Sequence, residues 1–221
     1  MAVLIFGASG SVGSYLVNRF VDDGRTVFST SRTHKSDSNV IHYDPMVPET
    51  ANNLASLPLL DAALWCQGIN CNDEIAQIDL PQYLSVIEAN VHFVTRSMSV
   101  LVNSGKLTTG SRLLIVSSLW QDFTRNNKFS YTVSKAALGG IVRSCSVDLG
   151  SRGIFINALL PGPIDNSMTR SHLSDTQIAS LPGFVDLADL YHLSSYLCFK
   201  NNSTNGQSII VDLGLSVRRM C

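Results

Sequence analysis

Hydrophobic residues fall into short continuous runs, separated by longer stretches in which they recur every third or fourth position. The runs at residues 3–6, 26–29, 40–43, 62–66, 113–116, 155–159 and 209–211 are rich in β-branched and aromatic side chains. They lack the every-second-residue alternation of a half-solvated strand, so they predict strands covered on both faces. Between them, Val12, Leu16 and Phe20 repeat every four residues and share one helix face. Residues 81–103 predict a second helix, opened by Pro81 in a position suited to the first turn. Residues 131–149 predict a third, stopped by Gly150 and Gly153. Residues 187–199 predict the last, and only a stubby helix near 50–57 fits between the third and fourth strands.

Strands alternating with helices in this way predict a doubly wound α/β fold. Its sheet is about seven-stranded and parallel, with right-handed crossovers and helices on both faces. No repeat, low-complexity run or linker divides the 221 residues, so a single domain is expected over 1–221.

Composition narrows the function classes. Apolar residues at 45% and charged residues at 15% fit a globular protein. A net charge of −1 gives no electrostatic reason to expect nucleic acid or an anionic membrane as partner. No segment approaches the ~20 apolar residues of a membrane span, and the run from Met1 meets Gly7 too soon for a signal peptide. The cysteines Cys66, Cys71, Cys145, Cys198 and Cys221 are odd in number and never in a Cys-x-x-Cys pair. Neither a metal site nor a disulfide framework is expected, and reduced thiols in a cytoplasmic setting are the plain reading.

Gly7-Ala8-Ser9-Gly10-Ser11-Val12-Gly13 follows the first strand directly and opens the first helix, a context that gives a glycine pattern meaning. Gly7 allows a tight turn, Gly10 allows the backbone to approach a pyrophosphate, and Gly13 allows close helix packing. Ser9, Ser11 and Val12 lie where helix N-terminal amides face such an anion. This is a Rossmann-like dinucleotide loop. The second strand ends without the carboxylate that would bond a ribose 2′-hydroxyl; Arg32 stands there instead, with Thr33 and Lys35 nearby. An arginine pairs with a 2′-phosphate, so NADP(H) is expected over NAD(H).

Tyr131 and Lys135 are four residues apart and share a helix face. A phenol is a poor acid-base catalyst at neutral pH unless a nearby cation lowers its pKa, so this pair predicts a proton-moving tyrosine served by a lysine. Ser118 closes the fifth strand at the sheet edge where ligands of such folds collect, and it could orient a substrate carbonyl.

Together these positions resemble the short-chain dehydrogenase/reductase family over almost the full length of the chain. The resemblance implies that Asn90, Ser118, Tyr131 and Lys135 form the catalytic set, with Asn90 in a water-mediated relay through Lys135. It implies an adenine contact at Asp44, a cofactor wall at Cys66, Gln67 and Gly68, and a nicotinamide loop at Pro161, Gly162 and Ile164. It further implies a substrate lid around 163–185 and a homodimer or homotetramer, for which Val91, Phe93, Val94 and Met98 offer a face. The chain also departs from the family pattern. Phe6 stands where threonine is common, Ser11 where a glycine is, Trp65-Cys66-Gln67-Gly68 where Asn-Asn-Ala-Gly is, and Asn166 where threonine is. This marks a divergent member.

The expected activity is hydride transfer between a nicotinamide and a small carbonyl or secondary alcohol. Trp120, Phe123 and Phe129 are candidate apolar walls for that substrate, and His172 a candidate contact. A non-catalytic dinucleotide sensor and a sugar-nucleotide-modifying enzyme are the alternatives. The second needs a larger C-terminal domain than the ~60 residues after Gly162 provide.

Overall fold

The computed structural model describes residues 1–33 and 38–218. Seven strands form one wholly parallel sheet: β1 (Ala2–Phe6), β2 (Thr26–Ser31), β3 (Val40–His42), β4 (Leu60–Trp65), β5 (Leu107–Val116), β6 (Phe155–Pro161) and β7 (Ser208–Val211). Their order across the sheet is β3-β2-β1-β4-β5-β6-β7. The chain winds outward one way from β1 and the other way from β4. The crevice at their carboxyl ends is therefore the switch point at which such sheets bind ligands.

The strands look continuously apolar because both faces are covered. Leu4 and Phe6 of β1 join one buried cluster with Ala63, Trp65, Val94, Met98, Leu138 and Val142. Val3 and Ile5 join the other with Leu16, Phe20, Leu64, Leu190 and Leu197. Successive side chains thus alternate between two layers that are equally dry.

The helices of the layer that packs on Val3 and Ile5 are α1 (Ser11–Asp22) and, late in the chain, α8 (Leu187–Phe199). The stripe that α1 buries is Gly13, Leu16 and Phe20; Val12, partly buried, packs against the same cluster and also lines the crevice. After the short α2 (Ala51–Ala55), the expected 81–103 helix is realised as α3 (Leu80–Ile87) and α4 (Phe93–Asn103), joined by a π-helical turn at Glu88–His92. Asp79 caps α3 by accepting from the Gln82 amide at 3.4 Å, and Pro81 lies in the first turn. α5 (Phe129–Gly150) is the longest helix described, at 22 residues. The short α6 (Ser167–His172) and α7 (Asp175–Ala179) precede α8, and α9 (Leu215–Arg218) ends the described chain.

Two expectations need correction. β5 begins six residues before the apolar run, because the polar Thr108-Thr109-Gly110 is held by tertiary bonds: the Ser111 hydroxyl donates to the Leu60 carbonyl at 2.7 Å and accepts from the Thr108 amide at 2.9 Å. Of the residues offered for a subunit face, Phe93, Val94 and Met98 are buried in the protomer's own core. The apolar side chains that α3 exposes are Leu80 and Leu84.

Candidate active site

A cleft of about 1150 Å³ runs along the carboxyl ends of β1, β2, β4, β5 and β6. This exceeds the few hundred to ~1000 Å³ of most small-ligand pockets and leaves room for a dinucleotide and a second molecule.

The glycine loop floors one end. Gly7 sits at φ +76°, and a Cβ there would come within 2.5 Å of the Gln67 amide. A Cβ on Gly13 would come within 2.2 Å of the Gly7 carbonyl oxygen. Both are glycines because backbone occupies the space where a side chain would go. Gly10 is different: a Cβ there would meet only the Gly7 carbonyl oxygen, at 3.4 Å. Internal packing does not forbid a side chain at Gly10, so its bareness keeps the loop surface open to a ligand. α1 has no side-chain N-cap, which leaves its leading amides for an anion. A pyrophosphate fits this cradle.

Arg32 and Thr33 are exposed at the end of β2 and line the cleft mouth. Thr33 is held by Ser31, whose hydroxyl accepts from the Thr33 amide at 3.2 Å. Lys35 lies outside the described residues, as does Cys221. Asp44 is placed beside the cleft, where its carboxylate accepts from the Met46 amide at 2.9 Å; Tyr43 and Val40 line the wall there.

Behind the loop, the departures at Phe6 and Trp65 explain each other. The two residues are register partners on β1 and β4. Their rings stack at 5.2 Å between centroids and 13° between planes. Phe93 meets Phe6 edge-on at 5.7 Å and Tyr43 does so at 6.0 Å. The Trp65 indole N–H donates to the Ser97 hydroxyl at 2.8 Å, so the aromatic replacement leaves no buried donor unpaired. Cys66, Gln67 and Gly68 form the wall above. Burial pushes the Cys66 thiol up to about 12. The buried Gln67 Oε1 and Ser117 Oγ lack hydrogen-bond partners among the described residues, and both residues line the cleft.

The other end holds Ser118, Tyr131 and Lys135, all nearly buried and all facing the cleft. Ser118 caps the turn after β5, accepting from the Trp120 amide at 3.3 Å. Burial raises the Tyr131 phenol to about 12, and a hydrogen bond from Ser118 pulls it back in part. The Lys135 ammonium lies 5.5 Å from the Tyr131 ring centroid, and burial pushes it down to about 8. The lowered phenol pKa expected from the pair is therefore not met in the protein alone: loss of solvent is the largest influence on each group, raising the phenol and lowering the ammonium.

Asn90 is also brought to this end, but behind the cleft wall. On the π-helical turn, its amide oxygen accepts from the Ile69 amide at 2.8 Å. Its amide nitrogen donates to the Ile69 carbonyl at 3.0 Å and to the Ser134 hydroxyl at 2.9 Å. A Cβ on Gly68 would meet Asn90 Oδ1 at 3.0 Å and Lys135 Nζ at 3.5 Å, so Gly68 is what lets these two groups approach the wall. Pro161, Gly162 and Ile164 line the cleft between its two ends.

The segment 163–185 carries α6 and α7 and covers one side of the cleft with Asn166, Met168, Thr169 and His172. Asn166 caps α6, accepting from the Thr169 amide at 2.8 Å, and donates across the cleft to Ser11 Oγ at 3.0 Å. Two further departures from the family pattern thus meet. Of the three aromatic residues offered as substrate walls, only Trp120 faces the cleft; Phe129 opens α5 and packs on Tyr83 at 6.4 Å. Several cleft residues escaped the sequence reading, among them Asn70, Arg125 and Lys128. Lys128, almost fully buried, also stands 5.5 Å from the Tyr131 ring centroid. Its place three residues before Tyr131 was the available signal.

Comparison with known proteins gives the class. Residues 7–216 match the family model described as enoyl-(acyl carrier protein) reductase. A cyclic-di-GMP-binding biofilm dispersal mediator protein of Escherichia coli (strain K12) is 28% identical over 174 residues, covering 74% of this chain and 73% of that protein. A 3-oxoacyl-[acyl-carrier-protein] reductase of Salmonella typhimurium is 25% identical over 193 residues, covering 80% and 79%. Among solved structures, a short chain dehydrogenase family protein from Francisella tularensis superposes with a TM-score of 0.86 at 21% identity over 98% of both chains. BdcA in complex with NADPH does so at 0.84 and 23% identity, over 96% of this chain and 92% of that one. The chain belongs to the short-chain dehydrogenase/reductase family. Within it, the chain is an NAD(P)-dependent dehydrogenase/reductase. Among the described residues there is no cluster of three or more His, Cys, Asp or Glu side chains suited to a metal, and no helix long and apolar enough to cross a membrane.

Proposed function

We propose that this protein is an NADP(H)-dependent oxidoreductase acting on a small carbonyl compound or secondary alcohol, with Tyr131 as the general acid/base. The observation that supports this best is the cleft itself. It joins a bare glycine cradle and Arg32 at one end to Ser118, Tyr131 and Lys135 at the other.

Gly7, Ser9, Gly10, Ser11, Val12 and Gly13 would hold the pyrophosphate, and Arg32 with Thr33 a 2′-phosphate. Cys66, Gln67, Gly68, Pro161, Gly162 and Ile164 would flank the remainder, and Asp44 would contact the adenine. The bound nicotinamide supplies or accepts the hydride. Ser118 donates a hydrogen bond to the substrate oxygen and orients it. Tyr131 gives its Oη proton to that oxygen in reduction and removes it in oxidation. Lys135 stabilises the phenolate electrostatically, and its lowered pKa makes it a ready proton donor near neutral pH. Asn90 positions the Ile69 backbone and Ser134, and so the wall on which Lys135 rests. The segment 163–185 acts as the substrate lid.

The test is NADPH oxidation followed at 25 °C with a panel of ketones, aldehydes and keto esters. Tyr131→Phe is expected to lower turnover by roughly 10²–10⁴-fold, with NADPH affinity and melting temperature kept. Full activity in that variant would sink the assignment. Tight NADPH binding without turnover in the wild type would favour a dinucleotide sensor.

A further inference from the structure

The substrate end of the cleft contains a buried cation that the proton-transfer scheme does not use. Lys128 is 2% exposed yet lines the cleft. Its ammonium donates to Asn70 Oδ1 at 2.7 Å and to the Cys71 carbonyl at 2.9 Å, both neutral acceptors. An ammonium carries three donors, so one remains beyond these two. No ion pair involves Lys128 among the described residues. The carboxylate whose charge acts on it is Asp73. That group is committed elsewhere: it accepts from the Ser130 amide at 3.0 Å and from the Ser130 hydroxyl, closing the first turn of α5. The Cys71 thiol is kept neutral by burial. The Arg125 charge also acts on Lys128, and its guanidinium donates to the His172 carbonyl of α6 at 3.0 Å.

Burying a cation without a carboxylate is unfavourable, and proteins ordinarily pair such a group. Here the unmatched charge faces the space beside Tyr131, where a substrate carbonyl would lie. We propose that Lys128 binds an anionic group, carboxylate or phosphate, carried by the substrate a few bonds from its carbonyl. The enzyme would then be selective for short anionic carbonyl compounds over their neutral counterparts. This rests on the oxidoreductase reading above and adds the substrate class to it. A rival role, in which Lys128 merely braces the 70–71 backbone against α5, predicts equal effects on neutral and charged ligands.

The experiment measures ligand binding to the NADPH-loaded protein by titration calorimetry, so it does not depend on turnover. Two matched pairs are used: acetoacetate against methyl acetoacetate, and dihydroxyacetone phosphate against dihydroxyacetone. The wild type is expected to bind the anionic member of one pair at least about ten-fold more tightly than the neutral one. The pair that shows it distinguishes carboxylate from phosphate. Lys128→Met should erase the preference and Lys128→Arg should retain most of it, with NADPH affinity unchanged in both. No anion preference in either wild-type pair overturns the proposal, and that comparison stands even where a variant fails to fold. A preference that survives Lys128→Met, or an equal loss for neutral and anionic ligands, also overturns it. If anion preference is found but NADPH is never oxidised, the oxidoreductase reading fails and the anion site remains.

Discussion

The two halves of the cleft carry their individuality differently. In the nucleotide half, the residues that depart from the family pattern meet in contacting pairs: Phe6 stacks on Trp65, and Ser11 accepts from Asn166. In the substrate half, Ser118, Tyr131 and Lys135 keep the family pattern, with a buried cation, Lys128, beside them. The difference follows from what each half must do. A wall can change its chemistry if the partner residue changes with it, because packing asks only for matched volume and satisfied donors. A site that acts through particular atoms has less freedom of that kind, because a matched volume does not replace a donor or acceptor.

The largest expected effect that tests this contrast is on stability. Trp65→Ala removes a buried indole and should cost roughly 3–5 kcal/mol, read as a loss of roughly 10 °C in melting temperature. A double-mutant cycle with Phe6→Ala should show a coupling of about 1 kcal/mol; additive losses would mean the two departures are independent. Next is cofactor choice. Arg32→Ala should weaken NADPH binding about ten-fold or more and leave NADH binding nearly unchanged, measured by nicotinamide fluorescence. Equal weakening of both would remove the 2′-phosphate argument. The smallest effect belongs to the tie between lid and loop. Ser11→Gly restores the residue common in the family and removes the acceptor for Asn166. We expect a two- to five-fold faster release of NADPH in stopped flow, on the order of 0.5–1 kcal/mol, with little change in melting temperature. An unchanged release rate would show that Asn166 serves only as the cap of α6.

The sequence was legible where the signal is local or periodic. Seven apolar runs became seven strands, and the central ones are apolar throughout because they lie between two dry layers. The four-residue spacing of Leu16 and Phe20 survived as the buried stripe of α1. Tyr131 and Lys135 share a face because four residues make about one helical turn. The early start of β5 was not legible, since its polar residues are held by bonds to Leu60, some fifty positions away. Phe129 packing on Tyr83 rather than toward substrate follows from how a whole helix is seated. The π-helical turn at Asn90 had no marker in the pattern.

By itself, then, the sequence determined the doubly wound sheet, the glycine cradle and the shared helix face of Tyr131 and Lys135, since these rest on steric permission and on spacing along one element. Only the tertiary structure decided that Phe6 and Trp65 are partners and that Ser11 meets Asn166, contacts 59 and 155 positions apart. It alone revealed that burial raises Tyr131 while lowering Lys135, and that Lys128 is a buried cation at the cleft. Burial and electrostatic environment are properties of everything that surrounds a group, and no run of neighbours in the chain encodes them.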